Sequence, residues 1–439
     1  MDLRIEFTDK EITPWGGLIL MKKLLDYIGF KEYLREIGLP ERGSNRGYDS
    51  VQIITSFMIG VWCGANRFEH LEVTRMDKVI QEMYGWKRMA GHKAYLRYFK
   101  KFNIGKNQEI FEKLYGWLIK KINFNNYTLD VDSTVITRYG EQEGAKRGYN
   151  DKKRGRKSHH PIIAFLSDIR MVANFWLRRG DAHTANNFKG FIEDTLNRLE
   201  GKRIGLLRGD NGFFDNKIME YLEERKIHYI IGAKFYKPIK RILISERIWW
   251  NLEEGIDIAE TEYKSPGWKK ERRVILVRQD IKKRPKASGR ELCLFGENEP
   301  YKEYRYSCFV TNLDLPASTV WTLYKQRADA ENRIKEIKHD FGGESFNLRE
   351  FFATEAALNF AMLAYNLMSL FRQVILKTKH QQHLKTLRYK LFGIAAYITS
   401  KGNAKILKLA LNMKRRYWFL GLWNSIEHID FPYPVPDSS

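Results

Sequence analysis

Cysteine is scarce in this 439-residue chain: there are three, Cys63, Cys293 and Cys308, and no C-x-x-C pair. That excludes a disulfide framework and a thiolate zinc site, and it suits a reducing compartment. Long apolar runs are also missing. The longest, Ala356 to Phe371, is interrupted by Asn359, Asn366 and Ser369, and is too short and too polar for a membrane span. The amino terminus, MDLRIEFTDKEITPW, has no apolar signal core, so a soluble, cytoplasmic protein is expected. Acids are few against bases: 53 Asp and Glu face 76 Lys and Arg, a formal net charge of +23. Such an imbalance points to a polyanionic partner, either nucleic acid or an anionic membrane surface; a merely solubilising basic surface is the alternative. A hydrophobic content of 43% excludes wholesale disorder. At roughly 150 residues per domain, about two to four domains are expected.

Residues 1 to 125 read as helical, with apolar residues at spacings of three and four in Leu24, Leu25, Ile28 and again in Phe111, Leu114, Leu118. The basic, turn-rich segment 38–48 breaks this region. Near residue 126 the period changes to two. Segments 127–136, 161–168 and 171–181 read as strands, with a tight turn at 167–170. A helix over 186–199, a strand over 203–210, a helix over 216–225 and a strand over 228–235 follow, which predicts an α/β layer opening on a hairpin. From 236 to 315 the helical period is lost, and short alternating runs such as 272–278 and 304–312 predict an all-β insert. Residues 318–340 and 348–376 read as long helices, the latter packing against the sheet, and the tail to Ser439 as helical and basic, closing on Pro432, Pro434 and Pro436.

The informative side chains are carboxylates. Asp130 and Asp132 share one face of the first strand, and Asp210 ends the fourth, in RGDNGF. Adjacent strands of one sheet can bring Asp132 and Asp210 together, and hard oxygen ligands of this kind suit Mg²⁺ or Mn²⁺. As isolated residues these acids read equally as turn caps. In YKQRADAENRIKEIK, the residues Tyr324, Arg327, Glu331 and Lys338 fall at spacings of 3, 4 and 7, which places them on one face of a helix. A surface ion-pair ladder explains Arg327 and Glu331. It does not explain all four residue types on one stripe.

The set DST at 132–134, RGDNGF at 208–213 and Y-x2-R-x3-E-x6-K at 324–338 resembles the DDE transposases of bacterial insertion sequences, in the cut-and-paste branch that carries a Tyr-Arg-Glu-Lys signature. The resemblance covers residues 127 to 345. Asp132 and Asp210 are 78 positions apart, and Asp210 and Glu331 are 121 apart, a second gap long enough for an insert. The resemblance implies an RNase H-like mixed-sheet core interrupted by an all-β insert, with helical N- and C-terminal regions. The expected division is a helical DNA-binding domain (1–125), the core in two parts (126–235 and 316–376), the insertion between them (236–315) and a basic helical C-terminal region (377–439).

The resemblance further implies that Asp132, Asp210 and Glu331 are the catalytic acids. They would hold two Mg²⁺ ions, with Mn²⁺ as a substitute, about 3.5–4 Å apart for in-line displacement at phosphorus. Asp132 matches the first acid of the family because it precedes Ser133 and Thr134; Asp130 is the reserve. Tyr324, Arg327 and Lys338 would hold the DNA backbone near the scissile phosphate.

Two segments concentrate positive charge: 146–157, with seven cations and one acid, and 264–290, with eleven cations and two acids. Both read as phosphate-contacting surfaces, the first through Lys153, Arg154 and Arg156. Trp268, flanked by Lys269 and Lys270, is the first choice among Trp249, Trp250 and Trp268 for an aromatic that stacks on an extruded base; insert core is the plain alternative. His159 and His160 read as structural or DNA-proximal. The implied protein binds the terminal inverted repeats of its element, cuts there, and joins the 3′-hydroxyls to target DNA. Its partners would be double-stranded DNA and further copies of itself, as a dimer or a higher synaptic complex, with no membrane, in a prokaryotic nucleoid. The rivals are an RNase H-like metal-dependent nuclease without strand transfer and a non-catalytic DNA-binding regulator.

Overall fold

The computed structural model describes residues 3–150, 153–290, 303–378 and 381–434; Cys293, Asp151, Lys152 and Pro436 lie outside the described residues. The chain divides into two compact units, one of residues 1–123, 140–144 and 333–437, the other of residues 124–139, 145–332 and 438–439.

The second unit is built on one mixed sheet. Its strands, in chain order, are β1 (Asn126–Ser133), β2 (Ile162–Leu166), β3 (Met171–Trp176), β4 (Arg203–Gly209), β5 (His228–Gly232), β6 (Trp250–Glu253), β7 (Ile256–Tyr263), β8 (Arg272–Asp280) and β9 (Tyr304–Thr311). They lie side by side in the order β6-β7-β8-β9-β5-β4-β1-β2-β3. Within this, β4 runs parallel to β1 and β5 parallel to β4, while β2 is antiparallel to β1 and β3 antiparallel to β2. A central first strand, an antiparallel pair on one side and two parallel strands on the other is the RNase H-like arrangement. The short turn after Leu166 permits the antiparallel step; the parallel steps need crossovers, which the helices α1 (Phe188–Leu199) and α2 (Asn216–Glu224) supply. Asp215 caps α2, accepting from the backbone N–H groups of Lys217 and Ile218.

The insert is rich in strands, as its alternation predicts, but it opens with a helix, α3 (Lys237–Ser245), and its strands extend the main sheet. The junction is β9 against β5, antiparallel, with Phe309 opposite Gly232 and Thr311 opposite Ile230. One apolar cluster runs across this junction: Leu206 and Ile230 from the central strands, Ile258, Ile275 and Phe309 from the added ones, with Val320 and Trp321 from α4 (Ala317–Lys325). The predicted helix over 318–340 is broken at Gln326, after which α5 (Arg327–Asp340) begins. Tyr324 therefore stands in the last turn of one helix and Arg327 starts the next.

The first unit is mainly helical. Its centre is the helix Phe351–Phe371, buried from Ala353 onward. The structure buries it within its own unit, among Ser50–Cys63 and Ile104–Ile119. Trp62 Nε1 donates to Ala364 O at 3.1 Å, and Tyr115 Oη to Asn359 Oδ1 at 3.0 Å. The second bond explains one polar interruption of the apolar run: Asn359 meets Tyr115 inside the bundle. The C-terminal region is not helical throughout, because Ala396–Lys401 and Ala404–Leu409 form an antiparallel hairpin. No helix among the described residues is long and apolar enough to cross a membrane.

Candidate active site

The parallel register of β1 and β4 sets the site. Asp130 lies opposite Arg208 and Val131 opposite Gly209, so Asp132 and Asp210 occupy the next step on neighbouring strands, which are about 4.8 Å apart. Leu129 and Val131 point into apolar packing; Asp130 and Asp132 take the other face. Beyond β4 the chain turns sharply: Asp210 Oδ1 accepts from Gly212 N at 2.8 Å. A Cβ on Gly212 would come within 2.8 Å of the Thr184 side chain and 2.9 Å of Asp210 Oδ1, so the turn that aims Asp210 requires glycine.

The third acid arrives with α5. Arg327, 6% exposed, donates from Nη1 to Glu331 Oε1 at 2.5 Å and lies 3.4 Å through Nη2 from Asp132 Oδ1. One guanidinium thus joins the strand acid to the helix acid. Burial pushes the Asp132 carboxyl up to about 6; Arg327 opposes this, while Asp210 and Glu331 reinforce it. Burial alone would lower the Arg327 guanidinium, but Asp132, Tyr324, Asp210 and Glu331 outweigh it and hold the group charged. Tyr324, with its ring 4.2 Å from that of Phe309, is pushed up to about 12, chiefly by burial. A cleft of about 590 Å³ opens here, lined among others by Asp210, Tyr324, Arg327, Glu331, Arg290 and Trp321.

Among the described residues, Arg327 is the cation paired with these three carboxylates, which leaves an oxygen donor set short of positive charge. A hard divalent cation fits that deficit. Asp132, Asp210 and Glu331 are the residues that would hold it.

Other predicted residues fall elsewhere. Asp130, the reserve acid, is 1% exposed and bonded to Arg208, so it takes no part in the open cluster. Lys338 stands on the later part of α5, in the first unit, 3.8 Å from Glu344. Trp268, 9% exposed, packs against Phe214 and Tyr263 under the guanidinium of Arg272, which makes it a core residue in this arrangement; Trp250 is 51% exposed. Lys153, Arg154 and Arg156 are exposed, in the loop between Lys146–Arg147 and Lys157–His159, with Lys153 and Arg156 over the Tyr139 ring. His159 Nδ1 meets Arg138 Nε at 3.0 Å and His160 Nε2 meets Tyr149 O at 2.6 Å, both structural contacts.

Sequence reading passed over Arg208, whose signal was available: it stands two residues before Asp210, as Asp130 stands two before Asp132. Among the described residues, the acidic group whose ligand atoms all lie within 4.8 Å of one another is Glu336, Asp340 and His383, in the first unit; Asp132, Asp210 and Glu331 are more widely spaced. There Arg372 Nη2 already holds Glu336 Oε1 at 2.5 Å.

A mixed sheet of this order, with acids at two adjoining strand ends and on a following helix, is an RNase H-like core with a candidate acidic site. Residues 1–430 match the family described as Transposase DDE domain group 1, and the chain belongs to it. No curated protein matches the sequence. Among solved structures, the cryo-EM structure of a piggyBac transposase synaptic complex with hairpin DNA is similar, at 14% identity and a TM-score of 0.46, over 88% of this chain and 82% of that one.

Proposed function

We propose that this protein cuts DNA at the terminal inverted repeats of the mobile element that encodes it and joins the freed 3′-hydroxyls to target DNA. The observation that carries the reading is the convergence of Asp132 and Asp210 at neighbouring strand ends with Glu331, through Arg327. Asp132, Asp210 and Glu331 would hold the divalent cations. When bound, such a pair supplies activation of the attacking water or 3′-hydroxyl and stabilisation of the leaving oxygen. The chain's own part is positional. Asp210 is aimed by its turn onto Gly212 N, and Arg327 fixes Glu331 against Asp132. The Tyr324 hydroxyl, kept protonated by burial, donates to a phosphate oxygen beside the cleft. Lys153, Arg154 and Arg156 attract the DNA backbone. Lys338 contributes a further phosphate contact, and the active form is at least a dimer with the two ends synapsed.

The test uses purified protein, labelled element-end DNA, a target plasmid and Mg²⁺. Cut donor and joined product are expected. Asp132→Ala, Asp210→Ala and Glu331→Ala should each abolish both while leaving DNA binding intact. Normal cutting by Glu331→Ala removes the three-acid reading. Cutting without any joined product identifies a nuclease instead.

A further inference from the structure

Beneath the three acids lies a buried ion pair that the chemistry above does not use. Arg208 is 1% exposed. Its Nε donates to Asp130 Oδ1 at 2.6 Å and its Nη2 to Asp130 Oδ2 at 2.7 Å, a two-pronged contact. The same Nη2 donates to Ser167 Oγ at 2.8 Å, and Ser167 Oγ in turn donates to Asp130 Oδ2. The remaining arm, Nη1, donates to the carbonyl of Leu323 at 2.5 Å.

The placement of these partners is the point. Asp130 is two residues before Asp132 on β1, and Arg208 two before Asp210 on β4. Side chains two apart share a face of a strand, so the pair lies one step below the acids on the same face. Leu323 is in the last turn of α4, next to Tyr324 and four residues before Arg327. A cation bonded to a helix's last carbonyls is favourable there. One guanidinium, carried on β4, therefore touches β1, which bears Asp132, and α4, the helix that leads into the one bearing Glu331.

Burying two charges is costly, and a pair of apolar residues of similar volume is often as stable. Stability alone does not account for the arrangement. A planar fork with fixed donor directions does something apolar packing cannot, which is to lock strand register and helix position together. We infer that Arg208 is a positioning residue that sets the mutual spacing of Asp132, Asp210 and Glu331, and with it their grip on the divalent cation. This rests on the acid assignment proposed above.

The test compares the parent chain with an Asp130→Leu/Arg208→Met double variant, which removes both charges at once. Three quantities are read: the melting temperature, Mn²⁺ affinity by calorimetry, and kcat and KM for end-DNA cleavage. The expected result is a folded double variant with KM for DNA unchanged, Mn²⁺ affinity weaker by about 10-fold or more and kcat lower by about 10–100-fold, the range of residues that orient metal ligands. Arg208→Lys keeps the charge but loses the fork. It is expected to lose Mn²⁺ affinity as well, and it replaces the double variant should that chain fail to fold. Mn²⁺ affinity and kcat within twofold of the parent in a folded variant would overturn the inference. A parent that neither binds Mn²⁺ nor cuts would instead overturn the acid assignment, so the two failures are distinguishable.

Discussion

Two acidic groups in this molecule are solved in opposite ways. In the first unit, Glu336 is wholly buried, with Arg372 at 2.5 Å, Arg333 at 3.7 Å and the Leu384 N–H at 2.8 Å. The Glu336 charge thus has its positive counterparts within the protein. In the second unit, Asp132 and Glu331 are 20% and 48% exposed, and Arg327 alone bridges them while Asp210 stands close enough to raise Asp132. The difference separates an acid whose charge is matched inside the fold from acids left short of positive charge. Proximity of carboxylates does not by itself mark a metal site; the balance of charge around them does.

The contrast breaks most readily at the acids themselves. Glu331→Ala is expected to lower cleavage by more than about 100-fold, beyond the range of a residue that only orients a ligand, with a melting temperature equal to or above the parent's. Glu336→Ala should do the reverse, costing about 3–5 kcal/mol because Arg372 is left buried and unpaired, as thermal denaturation would register. Comparable destabilisation by the two variants would erase the distinction.

A second measurement sharpens it. Mn²⁺ at about 100 times its dissociation constant should stabilise the parent by about 2.7 kcal/mol. Asp132→Asn/Asp210→Asn should lose that shift in denaturation midpoint, and Glu336→Gln should keep it. Survival of the shift in the first variant would move the cation to another site.

The smallest effect concerns the cations. Lys153, Arg154 and Arg156 are exposed, whereas Arg372 is 3% exposed and committed to Glu336. Replacing each of the three by Ala should reduce the slope of log affinity against log salt for DNA by about 0.9. An unchanged slope in the triple variant would take that loop out of the DNA contact.

Part of the candidate site was legible because strand parity and helix spacing are local properties. Parity suggested Asp132 beside Asp210, and helix spacing Arg327 beside Glu331; the resemblance joined the two sets. What escaped depended on partners distant in the chain. Lys269 and Lys270, which flank Trp268, lie 3.6 and 3.2 Å from Glu220 and Glu223, more than forty residues earlier. The pairing of Asp130 with Arg208 left a local hint, since each stands two residues before a candidate acid, but the buried contact itself is made only by the fold. The hairpin at Ala396–Leu409 carried a local signal, β-branched runs around Gly402-Asn403, with Gly402 at φ +59°. The basic composition of the tail masked it. The break at Gln326 left no mark, since its backbone remains near-helical, at φ −62° and ψ −18°.

The pairing of β9 with β5 has a consequence for how such a chain changes length. The excursion that leaves at Gly232 returns to lie beside it, with Phe309 directly across. Departure and return are thus rungs of one ladder, like the two sides of a hairpin whose turn has been enlarged to hold strands of its own. The entropy of closing such a loop grows only slowly with its length. Lineages can therefore enlarge, trim or exchange this appendage while the central strands keep their register.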